Sequence, residues 1–296
     1  MASILSVGEI LWDVFPEAEH LGGAAFNFAA HAARLGHQVF FVSAVGQDER
    51  GRRALERARE LGLSTRYIRA VAGAPTGFVT VSLDAAGVPS FVIHRPAAYD
   101  LAVLAPEELE ELVAQAPDWI YYGTLYQMHD GARRLTLTLL EALPAARRLY
   151  DVNLRRDCYT AELVADLLGR ASVVKLNEEE MATLAAMLGL PAGAERFSRA
   201  LADRYRLEAV CVTHGAAGCS LLAGGEFVVA SGYRVAVADT VGSGDAFAAA
   251  LVHGLSAGWE IARVADFANR VGALVASRNG GTPLWRVEEA LALGAA

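Results

Sequence analysis

The chain has 296 residues, 54% of them hydrophobic, which excludes a disordered protein and suits one large α/β unit, alone or with a small appendage. Its formal net charge of −8 disfavours nucleic acid as a partner, because phosphate backbones demand a basic surface. No apolar run is long enough to cross a bilayer, and the start, Met1-Ala-Ser-Ile-Leu-Ser-Val7, lacks the basic and apolar regions of a secretory signal, so a cytoplasmic protein without a membrane partner is expected.

Cys158, Cys211 and Cys219 show no Cys-x-x-Cys spacing and read as reduced structural thiols. Lys175 is the only lysine, and Val174 precedes it, so the chain has no Walker loop and no protein-kinase lysine motif. Any nucleotide phosphates must then be held by helix N-termini, Mg²⁺ or arginine.

In chain order, Ser3–Val7 predicts a buried first strand, and Asp13 lies just past its end. Ligands of open α/β sheets bind beyond such carboxyl ends, so Asp13 is either a sugar-hydroxyl acceptor or a turn-capping aspartate. Gly22-Gly23-Ala-Ala-Phe-Asn27 opens an Ala-rich helix that runs to Leu35 and stops at Gly36. Paired glycines there let a hydroxyl-rich ligand touch backbone, and Asn27 offers both donor and acceptor. A strand over 38–44 and a helix over 52–60 continue a β-α-β rhythm, which indicates a parallel sheet.

The rhythm breaks at 76–83 and 90–95, two β-rich runs that read as a hairpin. Such an insertion predicts a small lid, or an edge hairpin that packs or dimerises. Alternation then resumes: helix 107–115, strand 119–122, helix 131–143, and strand 148–152. That last strand leads into Asn153 and Arg155, at a carboxyl end again. Strand 172–176 gives Asn177-Glu-Glu-Glu180. Acids in a first helical turn suit the helix dipole, while Asn177 and Glu180, one turn apart, suit a phosphate and a hydrated Mg²⁺. After helix 194–205, strand 209–213 and Thr213-His-Gly215-Ala-Ala-Gly218 lead into a hairpin, which predicts antiparallel strands at one sheet edge.

A β-rich stretch over 233–238 precedes Asp239-Thr-Val-Gly-Ser-Gly-Asp245, and helices over 246–257 and 261–277 follow. Unpaired N–H groups at a helix start form a ready anion site. Gly242, Ser243 and Gly244 would hold a transferring phosphoryl group there, with Asp245 as the base that takes a hydroxyl proton. The plainer alternative is an ordinary helix entry with Ser or Asp capping. Asn269 lies in the last long helix, which ends near Ser277 and Gly280; carbonyls released there, with the Asp239 loop, suit a monovalent cation. With no internal repeat and no linker, residues 1–296 read as a single unit, with a lid from about 12–22 and 75–100.

Together these motifs, in this order, resemble the ribokinase-like (PfkB-type) carbohydrate kinases from near residue 3 to about 292. Gly22 to Asn27 and Asp239 to Asp245 look like the family's two signatures. Gly8-Glu9 with Asp13, and Asp151-Val-Asn153-Leu-Arg155, look most like fructokinases. The resemblance implies a three-layer α/β/α sandwich with a mostly parallel sheet and a small β lid. It implies ATP-dependent transfer to a primary hydroxyl of a small sugar, fructose first. Ribose, 2-keto-3-deoxygluconate or a nucleoside stay open as acceptors, as does a non-catalytic sensor on the same fold.

By position, the resemblance makes Asp245 the base and Gly242, Ser243 and Gly244 the anion hole. Asp13, Gly22, Gly23, Asn27, Arg95, Asn153 and Arg155 would contact the sugar. Asn177, Glu180, Thr213, Gly215, Gly218, Gly242, Gly244 and Asn269 would serve ATP, with Mg²⁺ held indirectly through Glu180. Asp239, Val241, Ser277 and Gly280 would hold K⁺. A homodimer through the lid stays open, because the hairpin suits a lid, a dimer clasp or both. Three departures stand out: Ser243 replaces the usual Ala, the Trp12–Gly22 loop is short, and His94-Arg95-Pro96-Ala97 matches the lid-return pattern only loosely.

Overall fold

The computed structural model describes residues 1–83 and 89–294. Its strands are β1 (Ser3–Val7), β2 (Leu11–Val14), β3 (Glu19–Gly22), β4 (Gln38–Gly46), β5 (Ile68–Val71), β6 (Gly77–Leu83), β7 (Pro89–His94), β8 (Trp119–Gly123), β9 (Arg147–Asp151), β10 (Val173–Asn177), β11 (Ala209–Thr213), β12 (Gly218–Ala223) and β13 (Glu226–Ser231). Its helices are α1 (Ala24–Arg34), α2 (Glu49–Glu60), α3 (Pro106–Ala114), α4 (Asp130–Ala142), α5 (Ala161–Leu168), α6 (Glu178–Leu188), α7 (Ala194–Tyr205), α8 (Ser243–Ser256), α9 (Ile261–Ala276) and α10 (Val287–Leu291).

One sheet has nine strands in the order β13-β12-β11-β10-β9-β8-β1-β4-β5. β1 pairs in parallel with both β4 and β8, and β8 to β11 continue in parallel. β12 and β13 are antiparallel and close one edge, as the hairpin reading of the sequence predicts. From β1 the chain builds outward first to β4 and β5, then in the other direction to β8. The strand order thus reverses beside β1, and a ligand crevice is expected past the carboxyl ends there.

Strand alternation explains the two cores. Ile4 faces one apolar cluster with Phe28, Ala248 and Val271, while Leu5 and Val7 face a second with Tyr122, Leu139 and Leu167. Each wholly buried Val, Leu, Ile or Phe among them contributes about 1.5–3 kcal/mol. Among the described residues, helices cover both faces of the sheet, which gives the expected three layers. α1 and α8 pack against each other, and both are rich in alanines, including Ala25, Ala29, Ala246 and Ala249, all 1% exposed or less. Such small residues let the two helix starts converge. No helix among the described residues is long and apolar enough to cross a membrane.

A second sheet, in the order β3-β2-β6-β7, joins residues 11–22 to the hairpin at 77–94. β2 pairs antiparallel with β3 and parallel with β6. The expected hairpin turn at 84–88 lies outside the described residues. The β-rich stretch 233–238 turns out to be a loop, not a strand. After Ser231 the chain leaves the sheet edge and crosses to the end of α9. There the N–H of Ala238 donates to the Ala276 carbonyl at 3.0 Å. The β-rich composition has no partner strand to pair with, so propensity yields to tertiary context.

Candidate active site

α8 begins at an uncapped mouth. Its N-cap, Gly242, adopts φ 76° and ψ −8°, and no side chain caps the helix. The Ser243 N–H donates to the Thr240 carbonyl at 3.2 Å, and its hydroxyl donates there too, at 2.8 Å. The N–H groups of Gly242, Gly244 and Asp245 make no hydrogen bond among the described residues. The free donors are therefore not quite the trio expected from sequence, because Ser243 is spent on the turn. Four orphan N–H groups and a dipole worth about half a positive charge favour an anion at such a mouth.

Asp245 stands in that first turn and is 8% exposed. Its Oδ2 accepts a hydrogen bond from Asn27 Nδ2 at 2.9 Å, across 218 residues of sequence. Oδ1 makes no hydrogen bond, yet it is not among the sealed, unpartnered polar atoms, so it opens to the cleft. Burial, reinforced by the Asp151 carboxylate, pushes the Asp245 carboxyl up to about 6, against Lys175, the Asn27 bond and Arg155. Asn27 Oδ1 is itself buried without a partner, an acceptor that a ligand hydroxyl would satisfy.

Neighbouring backbone completes the cleft. Gly22 lies so close to Asp13 that a Cβ there would meet Asp13 Oδ2 at 3.0 Å. Burial raises the Asp13 carboxyl to about 6, and Arg155 is the first group to oppose it. Gly23 is the N-cap of α1, at φ 106°, and offers no side-chain cap. Glu9 serves instead: its Oε1 accepts the Ala24 N–H at 3.0 Å.

The exit loop of α9 folds over the mouth of α8. A Cβ on Gly242 would meet the Gly281 carbonyl oxygen at 2.3 Å, and one on Gly281 would meet the Asn27 amide at 2.9 Å. His31, one turn past Asn27, fixes this loop. Trp285 donates to its Nδ1 at 3.0 Å, so its Nε2 carries the proton and donates to the Gly281 carbonyl at 2.9 Å. Burial lowers the His31 pKa to about 4, which keeps this neutral tautomer. Asp239 ties the same loops together, accepting from Val241 N at 2.9 Å and Gly280 N at 3.0 Å.

Asn177 and Thr213 are register partners at the ends of β10 and β11. Asn177 and Glu180 form a reciprocal capping box, and Glu180 Oε1 also accepts the Leu154 N–H at 2.8 Å. Both Glu180 oxygens thus have one backbone partner each, and the remaining lone pairs suit a water-mediated cation contact. No group of three or more His, Cys, Asp or Glu suited to a metal occurs among the described residues. Sparse protein ligands fit hydrated Mg²⁺. The carbonyls of Val241, Ser277 and Gly280 accept no backbone hydrogen bond among the described residues, which fits a monovalent cation.

Other expected site residues are spent elsewhere. Arg95 donates to both oxygens of the wholly buried Asp100 and to the Leu125 carbonyl. Asn269 Nδ2 donates to the carbonyls of Ala230 and Ser231, both at 3.2 Å. Gly218, at φ 111°, is needed because a Cβ would sit 2.0 Å from the Ala230 carbonyl; Gly215 is left-handed at φ 56°. These residues shape the turn next to β13. Asn153 is half-buried at φ 38°. Arg155 is exposed, and its charge acts on Glu9, Asp13 and Asp245.

Sequence reasoning overlooked the Lys175–Asp151 pair under α8, with Nζ 3.1 Å from both carboxylate oxygens. The available signal was a lone lysine between Val174 and Leu176 in an apolar strand.

The chain matches the profile of the pfkB family carbohydrate kinase over residues 8–286. It belongs to that family. Among curated pfkB relatives, the fructokinases of Klebsiella pneumoniae and Salmonella typhimurium are 31% and 32% identical to it, covering 85% and 86% of this chain and 83% and 85% of their own. A solved fructokinase with bound ATP from Xylella fastidiosa superposes with a TM-score of 0.88 at 26% identity, covering 98% of this chain and 97% of that one. This pfkB kinase is thus a phosphotransferase on the ribokinase-like fold, with Asp13, Asn27, Gly242, Gly244 and Asp245 gathered at one cleft.

Proposed function

We propose that this kinase transfers the γ-phosphoryl group of ATP to a primary hydroxyl of a small sugar, fructose first. The observation that carries this reading is the Asp245 carboxylate in the uncapped mouth of α8, with one oxygen held by Asn27 and the other open. The similarity to fructokinases, one of them solved with ATP, supports the nucleotide and the sugar class.

ATP lies toward Asn177, Thr213 and Gly215, and the sugar toward Asp13, Gly22, Gly23 and Asn27. The N–H groups of Gly242 and Gly244 receive the migrating phosphoryl oxygens. Asp245 takes the hydroxyl proton as the new P–O bond forms. Phosphoryl transfer passes through a loose transition state, so positioning and charge stabilisation carry most of the rate. Mg²⁺, with Glu180 as an outer ligand, supplies charge neutralisation on the phosphates when bound. K⁺ fits the loops held by Asp239. Residues 1–296 form a single unit, in which the small sheet is the lid that excludes water from the transfer site and offers the surface for a homodimer. The protein works in the cytoplasm.

A panel of fructose, ribose, 2-keto-3-deoxygluconate and nucleosides with Mg-ATP, with and without K⁺, tests the reading by coupled ADP release. Fructose is expected to give the highest kcat/KM. Another acceptor in first place would replace fructose and keep the kinase; ADP release with none would leave a sensor.

The pH profile follows from two carboxylates. Asp245 must be ionised to accept a proton, and Asp13 must be ionised to accept two sugar hydroxyls; burial raises each to about 6. Both are lost as pH falls through that value. kcat/KM for the sugar is therefore expected to fall on the acid side with a slope steeper than one group gives. In Asp13→Asn the slope should drop to that of a single group. An activity unchanged down to pH values well below 6 would contradict both assignments.

A further inference from the structure

A buried charge behind the mouth of α8 has no part in the transfer described above. Lys175 lies on β10 between Val174 and Leu176, both 0% exposed, and is itself 7% exposed. Its Nζ is 3.1 Å from each oxygen of Asp151, which is wholly buried. A Cβ on Gly244 would come within 3.3 Å of the same Nζ, so the ammonium lies against the second residue of α8. An ammonium has three N–H donors. Asp151 takes two, and the third makes no hydrogen bond among the described residues.

Fold stability does not explain a cation there. A helix start already carries partial positive charge, so a lysine beside it is unfavourable. Buried ion pairs are weak stabilisers, and apolar replacements of similar volume are often as stable or more so. An incoming polyanion reverses this balance, because a fixed cation in a water-excluded site stabilises developing negative charge at no reorganisation cost.

We propose that Lys175 is a further positioning residue of the phosphoryl-transfer site: braced by Asp151 behind the first turn of α8, its ammonium supplies the fixed positive charge against which the phosphoryl group and the Asp245 carboxylate are held. The chain thereby replaces the lysine of a Walker loop with one brought up through the sheet. This rests on the transfer reading above.

The charged and polar groups around Asp245 come from every neighbouring element: Asn27 from α1, Tyr121 from β8, Asp151 from β9, Arg155 beyond it, and Lys175 from β10. Burial pushes the Lys175 ammonium down, but the carboxylates of Asp151, Glu180 and Asp245 outweigh it and leave its pKa raised, so the charge persists. On Asp245 the two partners act in opposite senses, Asp151 raising it and Lys175 lowering it.

The test compares wild type with Lys175→Met, Asp151→Asn and the double variant, following melting, ATP binding by calorimetry, kcat, KM and pH profile. Removing either partner alone strands a buried charge or donor, so the neutral double variant guards against misfolding. It is expected to melt as wild type and bind ATP, with kcat reduced about a hundredfold or more, the scale of losing a preorganised electrostatic group. The acid limb is expected to move to higher pH in Lys175→Met and to lower pH in Asp151→Asn. A purely structural pair would leave kcat of the folded double variant at the wild-type level. A double variant turning over near the wild-type rate, or both single variants shifting the limb the same way, overturns the inference; if a single variant fails to fold, the double variant decides through kcat. A wild type that releases no ADP with any sugar overturns the transfer reading as well, which separates the two failures.

Discussion

Asp245→Asn should lose about 10²–10⁴ in kcat, the usual weight of a general base, while keeping its fold and its ATP affinity. The substitution preserves shape, and an amide oxygen can still accept the Asn27 Nδ2 hydrogen bond seen at 2.9 Å. Burial already raises the Asp245 carboxyl, so a neutral side chain relieves a penalty in the folded state. The competing view makes Asp245 a helix-start acid and nothing more. That view predicts a stability loss of about 0.3–1 kcal/mol from the dipole and no change in turnover. Melting and coupled ADP release on the same preparation therefore separate the two: a slow, stable variant supports the base, and a fast, less stable one refutes it.

Gly242→Ala should damage both rate and stability. Residue 242 sits at φ 76°, where any side chain is strained, and the new methyl would lie 2.3 Å from the Gly281 carbonyl oxygen. The loop cannot yield freely. Gly281 has Asn27 so close that a Cβ on it would meet the amide at 2.9 Å, and His31 holds its carbonyl at 2.9 Å. Either the strain remains, at about 1–3 kcal/mol, or the loop lifts and the N–H donors leave their places. Misplaced anion-hole donors cost about 10²–10³ in kcat. Gly36→Ala is the control: φ is 86° but nothing lies within 4 Å of its Cβ position, and it is far from the mouth in sequence, at the end of α1. It should cost stability alone, so a Gly242→Ala enzyme as active as Gly36→Ala would refute the close-packed mouth.

Much of this was legible because it is local. The glycine runs at Gly22-Gly23 and Gly242 to Gly244 mark helix starts without capping side chains, and both lie at the cleft. The alternation of strands and helices fixes a parallel sheet, and the hairpin near Gly224 fixes its antiparallel edge. What escaped is non-local. β2 and β3 are four residues each, and β2 finds its parallel partner in β6, over sixty residues later, so no periodicity announces them. The stretch 233–238 looks like a strand but has no neighbour to pair with. Asn269 and Gly218 carry residue types that suit a ligand, yet the structure spends them on the backbone at Ala230 and Ser231. In the sequence Lys175 only excludes a Walker loop, because nothing in one sequence says that its strand ends beneath α8.

The most direct test is the position of the acceptor hydroxyl in a crystal of the protein with fructose and a non-hydrolysable ATP analogue. That hydroxyl is expected within about 2.6–3.2 Å of Asp245 Oδ1, with the terminal phosphate of the analogue at the N–H groups of Gly242 and Gly244. A sugar bound with every hydroxyl beyond hydrogen-bond reach of Asp245, or a phosphate seated away from the start of α8, would contradict it.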